Sequence, residues 1–218
     1  MEDLNLLTYL ESFLTERRKA RFEKVLSNRT RHFTVAIEDV FQLHNTSAVL
    51  RSCDIFGIQD VHIIEDKYSD RIDAEIAMGA QKWVDLKRHQ SAQACLDHVR
   101  SQGYQIVATT PHKKKCRLEE FDIGQRSCFF FGREKDGLSD LIMEQADCFL
   151  SIPMVGFTES LNISVSAAII LQHLTAKLRM SDANWGLTEP EMFELRIDWC
   201  KKTIKSIDQI LDHYYQSH

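Results

Sequence analysis

The chain has 218 residues, 44% hydrophobic and 27% charged, and its 27 Lys and Arg against 32 Asp and Glu leave a formal charge of −5. That composition excludes a disordered chain, and 8 Gly with 3 Pro exclude a collagen-like one. The acidic sum weighs against a nucleic-acid binder, which is usually basic, unless the basic residues are gathered in one place.

Residues 4–26 place Leu7, Leu10, Leu14, Phe22 and Val25 at helical spacings around a very polar middle. From Phe33 onward, short β-branched or aromatic runs alternate with helical stretches. The runs are 33–37, 61–65, 104–109, 127–131 and 148–152, with helices expected near 45–56, 91–102 and 138–146. Gly57 and Gly103 mark the ends of two of those helices. This alternation predicts an α/β fold with a mostly parallel sheet. The stretch 161–178 shows little polar face, which predicts a helix buried on nearly all sides. Thr188, Glu189, Pro190 and Glu191 read as a helix start. The last helix is then expected to carry one apolar seam through Phe193, Ile197, Cys200, Ile204, Ile207 and Leu211.

The six cysteines, Cys53, Cys95, Cys116, Cys128, Cys148 and Cys200, show no CxxC or zinc-knuckle spacing. Free thiols in a reducing compartment are expected. The nine histidines are scattered and read as surface or core residues, so no metal is implied. The opening Met-Glu-Asp-Leu lacks the basic region of a signal peptide, and the apolar run in 161–171 is too short to cross a bilayer. A soluble cytoplasmic protein without a membrane partner is expected. There is no GxGxxG, no GxxxxGK[ST], no HExxH and no GxSxG, so dinucleotide oxidoreductases and P-loop enzymes are disfavoured.

Three segments break local rules. In 44–57 (HNTSAVLRSCDIFG), Asn45 stands where a helix cap belongs and Arg51 follows amid apolar residues. A capped amphipathic helix with a solvent-reaching arginine and a polar pair at the mouth of a strand–helix turn both fit. In 129–138 (FFFGREKDGL), Gly132 ends an aromatic strand and Glu134 sits in a tight loop closed by Gly137. A surface turn fits, and so does close approach of a ligand to glycine backbone. In 151–165 (SIPMVGFTESLNISV), Pro153 ends a strand, Ser160 is placed to cap the next helix, and Asn162 is a poor helix former just inside it. Three such segments at successive strand ends suggest one shared site.

Together they resemble the motifs of the SpoU, or TrmH-type, family of RNA 2′-O-ribose methyltransferases. The first is similar to NxSAxLRxCD, through Asn45, Ser47, Ala48, Leu50, Arg51, Cys53 and Asp54. The second is similar to FGxExxGL, through Phe131, Gly132, Glu134, Gly137 and Leu138. The third is similar to IPMxGxxxSLNVSV, departing at Ile163. Ser166 also stands where alanine is common. Order and spacing match across about 33–175.

The resemblance implies a SPOUT-type α/β knot, a deep trefoil, as residues 32–178, with a basic helical arm at 1–31 and a helical extension at 179–218. It implies S-adenosylmethionine held by Thr109, Gly132, Ile152 and Leu161, and a catalytic set of Arg51, Asn45, Glu134, Ser160 and Asn162. It implies a homodimer, although the apolar 161–171 helix and the terminal seam fit core packing equally. The helical flanks and the Lys82-Trp83-Val84 segment resemble the subgroup that methylates the 2′-hydroxyl of guanosine 18 in the tRNA D-loop. Another tRNA position, ribosomal RNA, or a non-catalytic RNA-binding relative are the alternatives.

The charge map agrees with a tRNA partner. Segment 17–31 has seven basic residues and one acidic, net +6, which leaves −11 for the rest of the chain. Arg17, Arg18, Lys19 and Arg21 are the expected phosphate-binding residues, with a second basic cluster at 113–117.

Overall fold

The computed structural model describes residues 2–38, 43–65, 79–111, 116–133 and 136–217. They form two compact units, one of residues 30–185 and one in which 1–29 joins 186–218. In chain order the elements are α1 (Glu2–Glu11), α2 (Glu16–Leu26), β1 (Phe33–Glu38), α3 (Leu43–Phe56), β2 (Asp60–Ile64) and β3 (Asp85–His89). Then come α4 (Ala92–Ser101), β4 (Gln105–Thr109), β5 (Cys116–Arg117), β6 (Ser127–Phe131), α5 (Asp140–Gln145) and β7 (Cys148–Ser151). Three helices close the chain: α6 (Ile163–Arg179), α7 (Glu189–Thr203) and α8 (Ile207–Ser217).

The larger unit is a seven-stranded parallel sheet in the order β3-β2-β1-β6-β4-β7-β5. The late strand β6 enters between β1 and β4, and β7 between β4 and β5, an order that fits the knot the resemblance implies. Strands β1, β2 and β6 are buried along their whole length, which explains their unbroken β-branched and aromatic runs. Helices α3 and α6 pack on one another, and one core contains Val49, Leu50, Cys53, Ile170, Leu171 and Leu174 with Phe33, Val35, Ile37, Phe129 and Phe131. A second core gathers Cys95, Leu96 and Val99 of α4 and Ile142 of α5 with Ala36, Ile106, Cys128 and Phe130. Alternate residues of β1 and β6 thus feed opposite layers. Burying a phenylalanine such as Phe129 or Phe130 stabilises by roughly 1.5–3 kcal/mol.

Two strands were hidden from sequence periodicity. β3 reads Asp-Leu-Lys-Arg-His and is only half buried, because it lies at the sheet edge where polar side chains remain solvated. β5 has only two residues. Helix α6 also differs from expectation. Ile163, Ala167, Ile170, Leu171 and Leu174 are buried, but Leu161 just before it and Val165 and Ile169 along it are 39%, 45% and 38% exposed. These last three recur every four residues and so line one open apolar stripe.

Thr30 and Arg31 belong to the sheet unit. Thr30 Oγ1 donates to the Trp185 carbonyl at 2.5 Å, and Arg31 pairs with Asp60 at 3.2 Å and Asp85 at 2.7 Å. Burial opposes the charge on Arg31, but the two carboxylates outweigh it and raise its pKa.

The smaller unit is helical. Phe22 of α2 meets the buried Trp199 of α7 edge-on, with ring centroids 5.5 Å apart. Arg196 of α7 bonds Glu11 of α1 and Glu23 of α2. Thr188 and Glu191 form a reciprocal capping box at the start of α7. The expected single terminal helix is broken: α7 stops at Thr203, and Ser206 adopts a positive φ of 55° before α8. Of the seam residues on α7, Cys200 is buried but Phe193 and Ile197 are only half buried, and Leu195 and Trp199, outside the seam, carry the rest of the burial. None of the described helices is long and apolar enough to cross a membrane.

Candidate active site

The C-terminal ends of β4 and β7 and the start of α6 enclose an open cleft of about 400 Å³, solvent at its mouth included. Thr109, Thr110 and Pro111 line it from β4, Leu150, Ile152 and Met154 from β7, and Ser160, Leu161, Ser166 and Ile170 from the α6 side. The walls are tied together. Thr110 N–H donates to the Leu150 carbonyl at 3.0 Å, and Thr109 Oγ1 donates to the Phe130 carbonyl at 2.7 Å. Apolar side chains and strand-end backbone surround the space, a lining suited to a flat heteroaromatic ring held by main-chain polar groups.

Three of the four expected cofactor residues, Thr109, Ile152 and Leu161, line this cleft. Gly132 does not line it. A Cβ on Gly132 would stand 2.3 Å from Gly137 C and Leu138 N, so the backbone approaching Gly132 is the chain's own. Arg133 and Gly137 exchange backbone hydrogen bonds at 3.0 Å each, closing the loop. Glu134 and Lys113–Lys115 lie outside the described residues.

Asn162 is the N-cap of α6, a place the sequence suggested for Ser160. Its Oδ1 accepts from Ser164 N–H at 2.8 Å, which explains a poor helix former at this position. Its Nδ2 donates to Asn45 Oδ1 at 3.2 Å. Asn45 lies inside the first turn of α3 rather than capping it, and is 2% exposed. Ser160 stays on the cleft wall. Arg51 is exposed on α3 and makes no hydrogen bond or ion pair with another described residue.

Sequence reasoning missed Glu38. This buried carboxylate ends β1 and accepts from Ser139 N–H at 2.8 Å, at the start of α5. Its signal was a charged residue at the end of an apolar strand.

Residues 32–172 match the SpoU rRNA methylase family. The chain belongs to that family. A tRNA (guanosine(18)-2′-O)-methyltransferase of Borreliella burgdorferi is 38% identical over 203 residues, covering 93% of each chain. The crystal structure of the Aquifex aeolicus TrmH/SpoU tRNA modifying enzyme superposes with a TM-score of 0.75 at 31% identity, covering 87% of this chain and 98% of that one. The SpoU methyltransferase AviRb of Streptomyces viridochromogenes, solved in complex with AdoMet, shares the fold with a TM-score of 0.62 at 23% identity, covering 72% and 62%.

In the basic segment of this SpoU-family chain, Arg17, Arg18 and Arg21 are exposed on α2, and Lys19 pairs with Glu16 at 2.8 Å. Arg29 is buried and lies over the Trp199 ring at 5.4 Å, and the partly exposed Arg31 is held by Asp60 and Asp85. Two of the seven basic residues counted in 17–31 are therefore engaged within the fold, Arg29 by burial and Arg31 by its two carboxylate partners.

Proposed function

We propose that this chain methylates the ribose 2′-hydroxyl of guanosine 18 in the tRNA D-loop, with S-adenosylmethionine as donor, as a cytoplasmic homodimer. The observation that carries the reading is the Asn162–Asn45 hydrogen bond. It ties α3, which bears Arg51, to the N-terminus of α6, whose flanking residues Ser160 and Leu161 line the cleft. Residues 117 positions apart thus join the first and third family motifs. The names and cofactor of the relatives supply substrate and donor.

S-adenosylmethionine would supply a methyl group already activated on sulfonium, so a metal Lewis acid is not required for the transfer. Thr109, Ile152 and Leu161 would hold it, the apolar walls taking the adenine and strand-end backbone taking its polar edge. The chain's own work is on the ribose hydroxyl, a very weak acid. Arg51 is the cation set against that hydroxyl and the adjacent phosphate. A guanidinium stays protonated, so its contribution is to stabilise the developing alkoxide rather than to take the proton. Asn45, Ser160 and Asn162 orient the substrate and the helix that bears Arg51, and Glu134 orders the loop after Gly132. Arg17, Arg18, Lys19 and Arg21 bind tRNA phosphates.

The open stripe of Leu161, Val165 and Ile169, with the fully exposed Val155 and Phe157 before it, supports the dimer. A twofold partner would cover this stripe with its own copy, beside the cleft.

Incubating purified protein with labelled S-adenosylmethionine and unmodified tRNA, then mapping nucleosides, tests the reading. Label on the 2′-oxygen of guanosine 18 is expected. Label at another nucleotide would move the substrate, and no binding of S-adenosylmethionine in calorimetry would leave only an RNA-binding relative.

A further inference from the structure

We propose that His62, His89 and Cys95 form a site for a divalent metal ion that favours mixed nitrogen and sulfur ligands, zinc above all. His62 lies in the middle of β2, His89 ends β3, and Cys95 lies in the second turn of α4. Across the β2–β3 pair, His62 sits opposite Lys87 and Ile64 opposite His89, so the two histidines share one face, two residues apart. One donor atom each from His62, His89 and Cys95 falls within 4.8 Å of the other two. The His62 Nδ1 to His89 Nε2 separation is 3.0 Å. Ligand atoms around tetrahedral zinc stand about 3.3–3.6 Å apart, given bonds of about 2.0–2.3 Å, so side-chain shifts of about 1 Å would close the site.

One buried nitrogen points the same way: His98 Nε2 is buried without a hydrogen-bond partner among the described residues. His98 follows Cys95 by three residues on α4, and its ring centroid is 5.5 Å from that of His62 and 5.4 Å from that of His89. Three imidazoles crowded against an apolar layer leave polar atoms unsatisfied, which is costly unless something accepts their lone pairs. A cation does so, with His98 or a water as fourth ligand. Binding replaces the S–H proton by the metal–sulfur bond, and that proton leaves to solvent.

The role is structural. The site joins the polar edge strand β3 to β2 and α4, while the cleft is lined from β4 and β7 on the other side of β1. Scattered histidines gave no spacing signal because the ligands come from three elements.

The test uses the full chain, stripped with a chelator and titrated with Co²⁺ and Zn²⁺. One Co²⁺ per chain is expected, with a thiolate-to-cobalt charge-transfer band. Cys95→Ser should abolish the band, and His89→Ala should weaken binding at least 10-fold, whereas the Cys116→Ser/Cys148→Ser double variant keeps both. Zn²⁺ should raise the melting temperature of the wild type but not of His89→Ala. X-ray absorption of the zinc-loaded wild type needs no variant, and one sulfur with two or three imidazole nitrogens is expected. Absence of stoichiometric binding at micromolar metal, a band that survives Cys95→Ser, or a shell without sulfur would overturn the proposal.

Discussion

Asn162 uses both ends of its amide at once: Oδ1 caps α6 through Ser164 N–H, and Nδ2 donates to the buried Asn45 of α3. One side chain therefore starts the helix that borders the cleft and ties it to the helix that bears Arg51.

Asn162→Asp separates those two tasks. A carboxylate still caps α6 but has no N–H for Asn45. Melting should stay close to wild type while methyl transfer falls at least 10-fold. Asn162→Ala loses the cap as well, about 1 kcal/mol, and should melt roughly 2–4 °C lower. Thermal melts beside single-turnover assays distinguish the two, and equal turnover in Asn162→Asp and wild type would remove the tie from the mechanism.

Arg51→Ala should leave the melting temperature unchanged, because the side chain is exposed and unpaired among the described residues. Turnover should be abolished, with S-adenosylmethionine affinity in calorimetry retained. Arg51→Lys keeps the charge but not the planar fork, and should recover only part of the rate. Wild-type turnover by Arg51→Ala would end its assignment.

Gly132→Ala places a methyl group 2.3 Å from the backbone of Gly137 and Leu138. Backbone cannot yield as a flexible side chain does, so the 133–138 loop must shift, at a cost of about 1–3 kcal/mol. Reduced stability together with a large loss of methyl transfer is expected from denaturant titration and assay. A variant that melts normally would show that the loop relaxes freely.

The basic residues should divide by burial. Neutralising Arg17, Arg18 and Arg21 should weaken tRNA binding with little change in melting. It should also flatten the salt dependence, by about 0.7–0.9 in log–log slope for each phosphate that is no longer neutralised. Arg29→Ala should instead destabilise the helical unit, since Arg29 is buried over Trp199. Filter binding across a salt series, paired with melts, reads both, and an unchanged slope in the triple variant would move the RNA surface elsewhere.

Charging the open stripe, by Val165→Glu with Ile169→Glu, should yield monomers in light scattering while the fold by circular dichroism is kept. Neither side chain is fully buried, so the cost falls on association rather than on the core.

The parallel α/β class was legible because β1, β4, β6 and β7 are apolar runs, and such runs report burial directly. The edge strand β3 was not, because half-solvated residues carry little periodic signal. The all-round burial expected of α6 failed for a related reason: hydropathy records what a face can bury, and not whether this chain covers it. The break at Ser206 escaped the seam because apolar spacing continues through a backbone that has left the helix.

By itself the sequence determined the parallel α/β pattern, the three ordered motifs that mark the SpoU family, and the basic segment of α2. Those are local properties, written in neighbouring residues. Tertiary structure decided the rest: that the cap residue Asn162 is tied to Asn45, that Arg29 is buried and Arg31 is held by Asp60 and Asp85, and that His62, His89 and Cys95 meet. Each depends on distant segments coming together, and the energy for that comes from burial and geometry that spacing along the chain does not encode.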